Sequence, residues 1–233
     1  MQLKITWKYC LGFIALNFII GELHEQAHIQ AGYFTCGCYG PRDFNFWSTC
    51  DQCAHPSLAI LATLAGPLFS CTLMWLGAIF FCKSNNNLNQ SFGFSLVFAN
   101  LPFARIFTAL TGGGDEKVVI RFLLGENSPV ITSKTVAAVL VLLICVPPVI
   151  LVFKKLKNSN RFWIVFGFLT IPLIYGMLYH HMFLNSLLQK GIGANTFILG
   201  TPDIILVHFV LMLLVFVLMR KYLNLRINSV VTI

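Results

Sequence analysis

The sequence predicts an all-α, polytopic membrane protein with about six transmembrane helices. Three observations predict it. Of 233 residues, 57% are hydrophobic and only 10% are charged, against about 25% charged in soluble domains. Mean hydropathy is +0.79. Apolar runs of about 20 residues, the length that crosses a bilayer, recur along the chain. No stretch is left for a large soluble domain, so residues 1–233 read as one membrane-embedded domain.

The spans are expected near residues 7–31, 57–82, 91–110, 135–153, 162–184 and 203–219. Lys4 and Lys8, followed by the apolar residues 11–20, imitate a secretory signal. No small-x-small cleavage site follows, so this segment is read as a retained span. The second run begins after Pro56 and stops at Lys83, before the polar turn SNNNLNQ. The fourth and fifth are divided by KKLKNSNR. Pro67, Pro102, Pro147, Pro148 and Pro172 fall inside runs. Membrane helices tolerate such prolines, so kinks are expected there and not breaks.

Charge sets the orientation. With the N-terminus inside, the inner segments hold Lys4, Lys8, Lys83, Lys154, Lys155, Lys157, Arg161, Arg220, Lys221 and Arg226, and no acid. The outer segments hold Arg42, Lys117, Arg121, Lys134 and Lys190 against Asp43, Asp51, Asp115, Glu116, Glu126 and Asp203. The positive-inside rule then selects N-in, C-in with an even number of spans. The net charge of +8 is mostly this inner bias. It gives no footprint for nucleic acid, because the basic residues are scattered over loops. The partners implied are the lipid bilayer and a molecule within it.

On this topology five of the six histidines share one depth. His24, Glu25 and His28 end the first span, and Asp115 and Glu116 follow the third. His180 and His181 lie near the end of the fifth, and Asp203 and His208 near the start of the sixth. His55 is in the first outer loop. Ionisable groups at such a depth are expensive and mark function. His24 and His28 stand at i and i+4 on one helical face, a stripe that Asn17 and Gly21 continue. Together with Glu25 they make HExxH, in which two imidazoles bind Zn²⁺ and the glutamate serves as general base for the attacking water. A structural polar network between helices is the competing reading.

HEQAH in the first span, with an acid at the end of a later one, resembles the site-2 protease family of intramembrane zinc metallopeptidases. The resemblance covers about the first half of the chain, and its specific part is HExxH. It implies a peptidase in which Glu25 activates water and an aspartate from a later span is the third ligand. In the family that aspartate usually follows an Asn/Pro-containing stretch and precedes a glycine. The corresponding segment here is NLPFARIFTALTGGGDE, where Asn100 and Pro102 match in type and Asp115 is the acid. The distance from Asn100 to Asp115 is longer than in the family, and the glycines precede the acid.

Asp115 therefore leads as third ligand, with Glu116, His180, His181, Asp203 and His208 as rivals. Four or more His and carboxylate ligands would suit a di-metal or non-haem iron centre. The plain alternatives are an interfacial pair for His180 and His181, a helix cap for Asp203 and a hydrogen-bonded core residue for His208. Asn100, Pro102 and Arg105 are candidates for positioning substrate. Arg105 lies inside a span and needs a partner, for which Glu22 is the candidate; an oxyanion-stabilising role is the functional alternative. The three glycines 112–114 read as a turn.

The first outer loop, residues 32–56, is cysteine-rich. Cys36, Cys38, Cys50 and Cys53 form CxC and CxxC. They imply two disulfides or a structural zinc site, with a redox-active CxxC as the sharper alternative. The loop is expected to cap the end of the first span, with Phe44, Phe46 and Trp47 as an aromatic anchor in the interface. The leading functional expectation is an exoplasmic-side zinc endopeptidase cutting a membrane-embedded peptide or protein near the outer leaflet. The alternatives are a His-ligated metal oxidoreductase or hydroxylase acting on lipid or quinone, a non-catalytic metal-binding or protease-like protein, and a thiol oxidoreductase.

Overall fold

Without water, backbone groups must be satisfied within the chain, so apolar runs become helices. The computed structural model describes residues 2–125 and 127–225. Glu126 and Arg226, which enter the charge count above, lie outside the described residues. The elements are α1 (Trp7–Cys36), α2 (Ala59–Lys83), α3 (Asn87–Ala99), α4 (Pro102–Thr111), α5 (Asp115–Leu124), α6 (Val130–Lys155) and α7 (Arg161–Tyr175). A π-helical segment (Gly176–Leu184) continues α7 into α8 (Asn185–Gln189). A small hairpin, β1 (Thr196–Ile198) antiparallel to β2 (Thr201–Pro202), leads into α9 (Asp203–Met219).

Among the described residues, five helical stretches are long and apolar enough to cross a membrane: Pro56–Lys83, Asn87–Thr111, Val130–Lys155, Arg161–Gln189 and Asp203–Leu223. They correspond to the second through sixth expected spans, and they make this an all-α membrane protein. The most apolar window of α9 is only 11% buried inside the protein, as a lipid-facing helix requires. Helix α1 is different. Its 30 residues reach about 45 Å, but its second half is too polar to count as an apolar span. It packs instead against α2 and α9 and touches α3. Its first half supplies Tyr9, Phe13 and Leu16 to the main core, with Met74, Phe81, Phe94 and Phe98.

The third expected span breaks where a kink was anticipated. Helix α3 ends at Ala99, Leu101 adopts a left-handed φ of 52°, and Pro102 opens α4. Proline is at home at a first helical position, because its missing N–H has no intrahelical partner to lose. Asn17 repairs part of the break. Its Nδ2 donates to the Ala99 carbonyl at 2.8 Å, and its Oδ1 accepts from the Tyr175 hydroxyl at 2.7 Å. The remaining prolines stay inside α2, α6 and α7.

The cysteine loop closes over the C-terminal half of α1. Cys36 bonds to Cys53 and Cys38 to Cys50. The expected aromatic anchor is mostly turned inward. Phe44 is buried with Leu184 and Ile205, and Trp47 stacks on His28 with ring centroids 4.7 Å apart. Only Phe46 of the three is exposed, at 61%. The loop is thus held by its contacts to α1 and α9, which an interfacial anchor would not make.

Candidate metal centre

Two polar stripes run along the second half of α1. Glu22, Gln26 and Gln30 stand at i, i+4 and i+8, and His24 and His28 form the other pair. The stripes are offset by two residues, about 200° around the helix, so they face opposite ways. On the first, Gln26 Nε2 donates to Glu22 Oε1 at 2.9 Å and Gln30 Nε2 to Gln26 Oε1 at 3.0 Å. Arg42, fully buried, reaches in from the loop and grips Glu22 with two bonds of 2.9 Å. Thr201 on β2 joins through Gln26 at 2.6 Å. Glu22 is therefore paired with Arg42, and the expected Glu22–Arg105 pair does not form.

The second stripe builds the candidate metal group. His28 is 1% exposed, and its Nδ1 lies 2.7 Å from the Ala62 carbonyl. A carbonyl only accepts, so Nδ1 carries the proton and Nε2 is left with its lone pair. His24 Nδ1 lies 3.0 Å from Ser70 Oγ and 3.0 Å from Arg105 Nη2. The two Nε2 atoms are 3.1 Å apart. Asp115 Oδ2 is 3.4 Å from His28 Nε2 and 4.0 Å from His24 Nε2. Tetrahedral zinc with N/O ligands at about 2.0–2.2 Å has ligand–ligand edges near 3.4 Å. The three observed edges bracket that length. Glu25 Oε2 is buried without a protein partner, as a group awaiting a water or ligand would be. Two imidazoles, a carboxylate and an orphaned second carboxylate fit a divalent metal with an open position.

Asp115 reaches this group through a turn. Gly112 and Gly114 have φ of 88° and 87°, a region that residues with a Cβ rarely occupy. The chain turns there, and Asp115 becomes the first residue of α5. Glu116 turns to Arg105, whose Nη1 donates to it at 3.1 Å. Glu116 and Arg105 are thus each other's partners. Among the described residues, His24, His28 and Asp115 are the group whose ligand atoms gather as a metal would need, all within 4.8 Å.

The rivals lie elsewhere. His180 and His208 pack ring to ring, with centroids 4.9 Å apart. His181 is exposed, 3.5 Å from Asn45. Asp203 is the first residue of α9, and Pro202 rather than Asp203 occupies the cap position. His55 is exposed beside Pro56. Asn100 donates back to the Leu96 carbonyl, and with Pro102 it shapes the helix break. Beside the metal group opens a cleft of about 540 Å³, walled by Glu25, His28, Trp47, Ile60, Asp115 and Phe122 among others. Comparison with family models, with curated proteins and with solved structures finds no match.

Sequence reasoning missed Gly66 and Ser70, placed Trp47 in the membrane interface and counted Arg42 only as a loop charge. A Cβ at Gly66 would overlap the His28 ring and come within 2.6 Å of His24 Cε1. Gly21, by contrast, has nothing within 4 Å of that position. Gly66→Ala is expected to lower metal content at least about tenfold, since ligand placement tolerates little displacement. Gly21→Ala is the control and should keep its metal. Equal metal in the two purified variants would show that α2 does not shape the centre.

Proposed function

We propose that this chain is an intramembrane zinc metallopeptidase of the site-2 protease type. One observation carries the reading: Glu25, His28 and Asp115 border the same cleft. In this reading α1 is the first of six spans, both termini are inside, and the cysteine loop and the site face the exoplasmic side. The excess of basic residues in the opposite segments supports that orientation. His24, His28 and Asp115 hold Zn²⁺. The ion supplies Lewis acidity toward a carbonyl and makes water a better nucleophile near neutral pH.

Glu25 takes the proton from the attacking water and returns it to the leaving amine. The Ala62 carbonyl holds His28 with Nε2 free. Arg105 Nη2 donates to His24 Nδ1, so for His24 Nε2 to bind the ion, Nδ1–H must turn from Arg105 to Ser70 Oγ, 3.0 Å away. Arg105 steadies Glu116, the neighbour of Asp115. The cleft wall mixes Trp47, Ile60, Val118 and Phe122 with Asn45, Ser48, Thr49 and Thr63. That mixture suits an apolar peptide segment whose backbone has been freed. A helical substrate hides its carbonyls, so it must unwind before cleavage. The oxidoreductase reading needs His180 and His208 beside His24 and His28, and their mutual packing gives it no support.

Purified protein reconstituted in liposomes with an apolar transmembrane peptide should cleave it and contain about one zinc per chain. Removing the metal with 1,10-phenanthroline should abolish cleavage, and adding Zn²⁺ should restore it. Undiminished cleavage by metal-free protein would overturn the proposal.

A further inference from the structure

His180 and His208 form a second cluster that the peptidase reading does not use. His180 sits in the π-helical segment after α7, a distortion that recurs at functional sites. His208 is one to two turns into α9 and is 7% exposed. Both Nε2 atoms are buried and have no protein partner. Their ring centroids are 4.9 Å apart, close to the 4.6 Å between His24 and His28. Phe18 stacks on His180 at 4.3 Å and meets His208 edge-on at 5.3 Å. Phe44 and Tyr179 close the box, each between 5.2 and 5.7 Å from both imidazoles.

We infer that His180 and His208 hold a soft monovalent metal ion, Cu(I), in a site separate from the His24–His28–Asp115 group. Two buried imidazole nitrogens without partners ask for a shared ligand. Among the described residues neither ring has a carboxylate ion-pair partner, unlike His24 and His28. Nothing in the box therefore offsets the charge of a divalent ion. The cost of burying an ion grows with the square of its charge, so a monovalent ion costs about a quarter as much. Cu(I) accepts two nitrogen donors, and aromatic faces attract a cation. The inference does not rest on the peptidase reading.

The test uses the full chain in detergent, with the free thiols Cys10, Cys71, Cys82 and Cys145 alkylated because thiolates also bind Cu(I). Cu(I) is supplied anaerobically from its bicinchoninate complex. Wild type and His24→Ala/His28→Ala should each bind about one equivalent, and X-ray absorption should show nitrogen donors. His180→Phe/His208→Phe, which keeps the box aromatic, should bind at least about tenfold more weakly. It should keep the zinc content of wild type. Unchanged Cu(I) binding in that variant, sulfur donors in wild type, or no stoichiometric Cu(I) would each overturn the inference. If the double variant does not fold, the donor set and stoichiometry of wild type decide.

Discussion

Glu25→Gln is expected to keep its metal and fold while losing turnover by about 10²–10⁴-fold, the usual contribution of a general base. The expectation rests on what the substitution leaves alone. Glutamine has the size and shape of glutamate, so packing beside His28 and Asp115 is preserved. The buried Oε2 of Glu25 has no hydrogen bond within the protein, so no structural partner is lost. What goes is the carboxylate's ability to accept a proton. A group acting only in the transition state lowers kcat with little change in KM. Zinc analysis and initial rates on the reconstituted protein separate these effects. A variant with normal metal that cleaves at the wild-type rate would remove Glu25 from the mechanism. A variant that has lost its metal would make Glu25 a structural member of the group.

The contrast between the two stripes on α1 explains what was legible in the sequence. Long apolar runs declare themselves, because in lipid each run satisfies its own backbone and needs no partner to become a helix. HEQAH is legible for a similar reason: i and i+4 share a face whatever the rest of the chain does. Residue type and position point to Asp115. The turn at Gly112 and Gly114 that carries it to the histidines is tertiary, and glycine spacing alone does not fix a direction. The break before Pro102 was read as a kink, because its stability depends on Asn17 and Tyr175 from other helices. In sequence, Glu22 looks like the partner of Arg105 because both are charges within spans. Its true partner, Arg42, comes from a loop that two disulfides fold back onto α1, and no local periodicity encodes that contact.

That pair gives the largest expected effect on stability. Arg42→Met should destabilise the protein by about 3–5 kcal/mol, because it strands the Glu22 carboxylate in the interior. Arg42 is fully buried, Glu22 is 9% exposed at its side chain, and the grip is bidentate. Replacing both partners should cost much less, since an apolar pair of similar volume leaves no buried charge behind. Unfolding of wild type, Arg42→Met, Glu22→Leu and the double variant in one detergent gives the coupling between the two residues. A double variant whose loss equals the sum of the two single losses would mean that the pair holds nothing. The consequence reaches the metal group, because the loop that carries Arg42 also carries Trp47, the ring stacked on His28. Loosening the pair should therefore raise hydrogen exchange across residues 41–49 and weaken metal binding together. Loss of stability with unchanged metal affinity would show instead that Trp47 stays on His28 by itself. The two stripes of α1 would then be independent, and the charge pair would serve only to let a polar helix stand inside an apolar bundle.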